Sequence, residues 1–368
     1  MADWYLASED LDDLALGCAM LGSGGGGDPH YAVTLLRAML ARGATIRIID
    51  PGALSDDDIA VNVGYVGAPF TLIEKLIADR EIVAGIEAMQ TRLPAPLRAL
   101  IASEIGGFNG LVPLIAGGLT GLPVIDADGM GRAFPRSDQV AFAIYGHSAT
   151  PTVVSGERGE AIVIESGSCD RVEMLVRALS VAMGSKCFAV DYPLSGRDIR
   201  AHAVPRTVSL ARGIGADIRA AAGDAHDPFA ALSESLRVRR GIDCLLLIDG
   251  IVMGREHGTD GGFDVGSAIV KEPGSGGRAV TLDFQNEFLV AWQDGAPLVS
   301  TPDIISVVDS DTLTPITSDA IRYGQRVKVI ALSAPLLMRS ARALASVGPR
   351  AFGYAFDYRP ISGGGGDR

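Results

Sequence analysis

The chain has 368 residues, 48% of them hydrophobic and 21% charged, which is long enough for two globular domains and too apolar for a disordered chain. Its net charge of −12, without any Lys/Arg run, argues against nucleic acid as a partner. No uncharged apolar run reaches the ~18–20 residues of a membrane span, and no basic-then-apolar signal segment opens the chain, so a cytoplasmic protein is expected.

In chain order, Leu11 to Leu21 has helical spacing. Gly22-Ser-Gly-Gly-Gly-Gly-Asp28-Pro-His30 follows. Four consecutive glycines cost conformational entropy, so they mark a place of close backbone approach or positive φ. Asp28 reads as an N-cap and Pro29 as first-turn proline of the helical pattern Tyr31 to Arg42. A helix N-terminus there would favour an anion, and the N–H groups of Gly24, Gly25, Gly26 and Gly27 are candidate substrate contacts. Thr45 to Ile49 and Ile59 to Val66 read as strands, and Leu72 to Arg92 as a long helix. A second glycine-rich loop, Glu104-Ile-Gly-Gly-Phe-Asn109, makes Glu104 and Asn109 further candidates. Pro123 to Asp128 reads as a buried strand ending in two acids. On one strand Asp126 and Asp128 point to the same face, although Asp126-Ala-Asp-Gly129 also has turn composition.

Strands Val153-Val154 and Ala161 to Glu165 lead to helical segments at Arg171 to Met183 and Arg206 to Arg239, the latter with a turn near Gly223 to Pro228. After Asp243 come short apolar or alternating runs: Cys244 to Ile248, Ile251 to Met253, Ser267 to Val270, Ala279 to Phe284, Phe288 to Trp292, Ile304 to Val308 and Arg326 to Ala331. Gly, Asp and Pro turns separate them, as in an all-β region. A short helix, Leu336 to Ala345, precedes a glycine-rich tail. The fold class expected is α/β: an N-terminal α/β domain (1–165, completed by 166–240 and 336–360), a β-rich domain (243–333), and a disordered tail (361–368).

Several chemistries are compatible with these residues. Gly22-x-Gly24-x-x-Gly27 matches a dinucleotide fingerprint, with Asp50 ending the next strand, but that motif must follow a strand and Leu11 to Leu21 reads as a helix. His30, Glu104, Asp126 and Asp128 form a pool for a divalent metal (zinc, manganese or cobalt) and a general base. His30, Asp126 and Asp128 are the expected ligands, and Asp128, Glu104 and His30 the expected catalytic groups. Arg132 is a candidate for bidentate binding of a substrate carboxylate. The cysteines (Cys18, Cys169, Cys187, Cys244) include no Cys-x-x-Cys pair and read as inert thiols.

Taken in order, Leu21-Gly-Ser-Gly-Gly-Gly-Gly-Asp-Pro-His30, Glu104-Ile-Gly-Gly-Phe-Asn109, Asp126-Ala-Asp-Gly-Met-Gly-Arg-Ala-Phe-Pro135, Asn286-Glu287, Thr301-Pro-Asp-Ile-Ile305 and Gly348-Pro-Arg-Ala-Phe-Gly-Tyr354 resemble the S-methyl-thiohydantoin desulfurase family. The resemblance spans about residues 8–360. It implies an N-terminal α/β and a C-terminal β-rich domain, and hydrolysis of a thiohydantoin-type ring in sulfur-compound catabolism. One departure is Arg136, where an acid is expected after Phe134-Pro135. Two other functions stay open: a non-catalytic metabolite-binding subunit beside a hydantoinase-type partner, and a nucleotide-binding oxidoreductase. A homo-oligomer is also open.

Overall fold

The structure is a computed structural model and describes residues 3–67, 75–223 and 226–361. The first sheet contains β1 (Trp4–Tyr5), β2 (Arg47–Ile49), β3 (Ile59–Gly67), β4 (Leu97–Ala102), β5 (Val124–Asp128), β6 (Thr152–Ser155), β7 (Ala161–Ile164), β8 (Lys186–Ser195) and β9 (Val204–Pro205). Their order is β1-β2-β5-β4-β3-β8-β6-β7, with β9 pairing β5. Strands β2, β5, β4 and β3 run parallel, and β8 joins β3 in the opposite direction. In parallel sheets of this kind, ligands sit beyond the C-terminal strand ends.

The helices are α1 (Leu11–Leu21), α2 (Pro29–Ala41), α3 (Asp79–Gln90), α4 (Val112–Thr120), α5 (Ala141–Ile144), α6 (Cys169–Ala182), α7 (Gly196–His202), α8 (Thr207–Ala222), α9 (Pro228–Ser235) and α10 (Ala341–Val347). One face of the sheet, through Val61, Val63, Phe188 and Val190, packs against α1, α2, α3, α4 and α8. The other face, through Ala60, Ile101, Ala127 and Ala189, packs against α5, α6, α7 and α10. Both faces are covered, so the strands read as apolar runs, as buried parallel strands do.

The second sheet is antiparallel: β10 (Cys244–Asp260), β11 (Phe263–Lys271), β12 (Ala279–Gln285), β13 (Glu287–Gln293), β14 (Ala296–Ser300), β15 (Ile304–Asp309), β16 (Pro315–Ile316) and β17 (Arg326–Leu332). Its order is β14-β13-β12-β11-β10-β17-β15-β16. One side chain row (Val252, Val270, Leu282, Val307, Val329) builds its own core. Another row (Ile304, Val308, Ile330, Leu332) enters the core that holds α1 and α8.

The expected α/β plus β-rich architecture is what the chain adopts. Some details differ from the sequence expectation. Cys244 to Ile248 and Ile251 to Met253 are one strand, β10, which bends at two register shifts instead of breaking at Gly250. The long helix begins at Asp79, where the Glu81 carboxylate accepts the Ala78 N–H (3.1 Å); its expected first residues 72–74 and the tail 362–368 lie outside the described residues. Strand β8, central to the first sheet, carries Lys186, Asp191 and Pro193 and has no apolar alternation to announce it.

Candidate active site

Beyond the C-terminal ends of β3, β4 and β5 lies a cleft with about 90 Å³ of room for water-sized groups. Its walls come from the ends of β3 and β8, the loops after β4 and β5, helix α6, and the β12–β13 turn of the second sheet. Pairing of β3 with β8 sets the floor: Asn62 lies opposite Asp191 and Gly64 opposite Ala189. Side chains two apart on a strand share a face, so two polar groups are followed by two small ones, and the small ones leave the space. The second sheet delivers Asn286 and Glu287. Asn286 sits at φ 59°, a left-handed turn conformation, and its Oδ1 accepts the Asp264 N–H (2.9 Å).

Four buried carboxyls line the cleft: Glu104, Glu173, Asp191 and Glu287. Glu104 accepts hydrogen bonds from Asn109 Nδ2 (2.8 Å) and from the Phe134 N–H (3.3 Å). Burial nevertheless pushes its pKa up to about 7. Burial and then the charge of Glu104 push Glu287 up to about 8, against the pull of Arg132 and the Gly26 N–H. Its Oε2 has no hydrogen-bond partner among the described residues. Asp191 accepts from Asn62 Nδ2 (2.6 Å), yet burial raises it to about 7. Carboxyls with midpoints near neutrality can both give and take protons at physiological pH. The cations of the cleft are paired: Lys186 with Glu81 (2.9 Å), and Arg177 with Glu173. Arg136 also lines the cleft, held bidentately by Asp138 (2.8 and 2.7 Å).

Of the residues singled out from the sequence, Glu104, Asn109, Gly26 and Gly27 line this cleft. Asn109 is occupied there as a clasp: Oδ1 accepts the Tyr65 N–H (2.9 Å), and Nδ2 donates to the Tyr65 carbonyl (3.1 Å) as well as to Glu104. Gly24 and Gly25 are buried against the second sheet. A Cβ on Gly24 would lie 2.4 Å from the Phe288 ring, and one on Gly25 would lie 1.9 Å from Glu287 Oε1. The glycine loop is therefore packed against protein, with Ser318 N–H donating to the Gly24 carbonyl (2.8 Å) and Phe108 N–H to that of Gly27 (2.9 Å). The helix end behind it is closed as well, because Asp28 accepts the His30 N–H (2.9 Å).

The expected metal trio does not assemble. His30 is exposed and lines a separate surface groove with Asp12, Asp28 and Ile316. Asp126 accepts from the N–H and hydroxyl of Ser209, at the start of α8. Asp128 Oδ2 accepts three backbone N–H groups, from Ile105 (2.9 Å), Met130 (3.0 Å) and Gly131 (2.7 Å). It is fully buried, does not line the cleft, and fixes the two loops that do. Among the described residues no group of three or more His, Cys, Asp or Glu side chains is placed to hold a metal ion.

Arg132 is likewise no open anion receptor. It is fully buried and donates to the carbonyls of Ala133 (2.8 Å), Asp303 (2.8 Å), Pro302 (3.3 Å) and Phe288 (3.2 Å), strapping the second sheet to the first layer. The dinucleotide fingerprint fails in its context: the glycines connect α1 to α2, so a helix and not a strand leads into them. Sequence reasoning did not select Asn62, Asp191 or Glu287 as site residues. Each carries a polar group inside an apolar strand or at a strand edge, and Glu287 also belongs to the Asn286-Glu287 motif of the family resemblance.

The fold and the site define a two-domain protein whose cleft is closed by the β-rich domain. The chain belongs to the S-Me-THD-like (S-methyl-thiohydantoin desulfurase) family: the N-terminal domain model matches residues 9–166 and the C-terminal domain model residues 167–361. A protein from Chromobacterium violaceum with a known crystal structure has the same fold, at 24% identity and a TM-score of 0.80, over 98% of this chain and 100% of that one. No curated protein matches the chain. Among the described residues no helix is long and apolar enough to cross a membrane.

Proposed function

We propose that the cleft hydrolyses the carbon–sulfur bond of an S-alkyl thiohydantoin-type ring, with Glu287 and Glu104 sharing the acid–base work. The observation that carries this reading is the pair itself: two buried carboxyls from different domains meet on one cleft, with midpoints near neutrality and one oxygen unpartnered among the described residues. Like charges in one buried site do not both ionise readily, so the pair holds a proton while one member stays a base. The ionised member takes a proton from water as the C2–O bond forms. The protonated member supplies one to the ring nitrogen. Collapse of the tetrahedral intermediate breaks the C2–S bond and expels a thiolate. The two protons of the water end on the ring nitrogen and on the departing sulfur, which leaves a ring carbonyl and a thiol.

The test is to incubate the protein with S-methyl-thiohydantoin, following methanethiol with a thiol reagent and hydantoin by chromatography. Thiol release is expected, with a loss of ~10²–10⁴ in kcat for Glu287→Gln, the range of a lost general acid or base. Absence of thiol release from the wild type would overturn the reading.

A further inference from the structure

Two buried acceptors facing the cleft lack a hydrogen-bond partner among the described residues: Glu287 Oε2 and Asn62 Oδ1. The first is accounted for by the acid–base reading above. The second has no role there. Asn62 is 2% exposed, so its unmade bond is costly, and a bound donor would recover that cost.

The orientation of the amide is set by its neighbours. Nδ2 spends its two N–H groups on Asp191 Oδ1 (2.6 Å) and Ser103 Oγ (3.1 Å), which leaves Oδ1 as the free end. Above the Asp191 midpoint of about 7, the opposite orientation would set two acceptors, Asn62 Oδ1 and Asp191 Oδ1, against each other. Next along the floor are Gly64 and Ala189. A Cβ on Gly64 would meet nothing closer than 3.6 Å, so protein packing does not demand a glycine there. The space above Gly64 is open for a flat group lying beside Asn62.

Resting on the thiohydantoin reading, we propose that Asn62 is the specificity residue of this cleft: Oδ1 accepts a ring N–H, and the substrate class is restricted to rings whose nitrogen at that position is unsubstituted. A ring methylated there would lose the hydrogen bond and leave Oδ1 buried and unpaired. Sites built to pair a buried N–H discriminate strongly against analogues that lack it.

The experiment is calorimetric titration of hydantoin, 1-methylhydantoin and 3-methylhydantoin into the wild type and Asn62→Ala, beside the thiol-release assay. Methylation of one of the two nitrogens is expected to weaken wild-type binding by ~30-fold or more, the scale of one buried hydrogen bond. Asn62→Ala should bring that methylated ligand within about threefold of hydantoin, since the unpaired oxygen is gone. Wild-type affinities for all three ligands within about threefold would overturn the proposal, and this series needs no variant to fold. Discrimination between ligands without thiol release would sink the reaction and leave the recognition. Thiol release without discrimination would do the reverse. Neither hydantoin binding nor thiol release would sink both.

Discussion

Glu287 and Glu104 carry the proposed chemistry, and their environment makes it testable by pH. Both fold with midpoints, about 8 and about 7, above the 4.5 of a free glutamate. Between those limits the folded state binds more protons than the unfolded state, so stability falls as pH rises from about 4.5 to about 8. Glu287→Gln is always neutral and should flatten the fall in melting temperature between pH 5 and pH 8; an unchanged slope would mean that Glu287 is ionised throughout. In the same pH range the kcat/KM profile should be bell-shaped, its limbs belonging to the pair, and should lose one limb in Glu104→Gln. Gly64→Ala separates site from scaffold. Its Cβ has only ordinary contacts, so thermal stability should hold, while KM rises because the methyl group occupies the cleft floor. A melting temperature lowered by several degrees would show instead that Gly64 serves packing.

At the scale of elements, the two glycine-rich loops exist for each other. Gly107 has φ 52°, and a Cβ there would lie 2.2 Å from the Gly27 carbonyl oxygen. Backbone cannot give way cheaply, so Gly107→Ala should cost about 2 kcal/mol or more in denaturant unfolding. Gly43 has φ 90° with nothing within 4 Å, and Gly43→Ala should cost only the ~1 kcal/mol of the left-handed conformation. Equal losses at both sites would refute the argument from loop contact. Arg132 is the other device at this level. Replacing it with Leu removes the donor from the buried carbonyls of Pro302 and Asp303, leaves that of Phe288 with the Ser23 hydroxyl alone (3.3 Å), and removes the positive charge beside Glu287 and Glu104. A loss of ~3–5 kcal/mol is expected, as for other broken buried charges.

For the whole molecule, the boundary between the family's two domain models and the boundary between the two sheets do not coincide. The first falls at residues 166 and 167, yet β8 lies beyond it in sequence and pairs with β3 and β6 of the first sheet. The second sheet in turn shares its Ile304, Val308, Ile330 and Leu332 row with the core around α1 and α8. Shared burial couples the parts, so calorimetric unfolding should show one transition, with van't Hoff and calorimetric enthalpies in agreement. Two resolved peaks would mean that the sheets unfold independently. The same coupling holds Glu287 over Glu104: the β12–β13 turn is pinned by Phe288 N–H to the Ser23 carbonyl (2.7 Å) and by Arg132 to the Phe288 carbonyl (3.2 Å).

Local chemistry was legible where the chain speaks locally. Apolar periodicity placed α1 and β3, Asp28 and Pro29 announced the start of α2, and the short alternating runs after Asp243 announced a β-rich domain. The ordered motifs carried the family. Asp128 and Arg132 were read as chemistry because charged residues in apolar surroundings invite it. Asp128 closes a local turn on the Met130 and Gly131 N–H groups, which its turn composition allowed, but the Ile105 N–H on Asp128 and the Phe288, Pro302 and Asp303 carbonyls on Arg132 come from distant loops that no spacing rule reveals. The cleft was legible only in its Gly26, Gly27, Glu104 and Asn109 wall: Asn62 meets Asp191 across 129 positions, and Glu104 and Glu287 approach from different sheets. Desolvation, which raises their pKa values, is a property of the closed interface between the sheets. Most elements, the family and Glu104 as a candidate were readable from residue order; the pairing of Glu104 with Glu287, and the dismissal of Asp128 from the cleft, came from the fold, because burial and mutual repulsion arise only when the two sheets close.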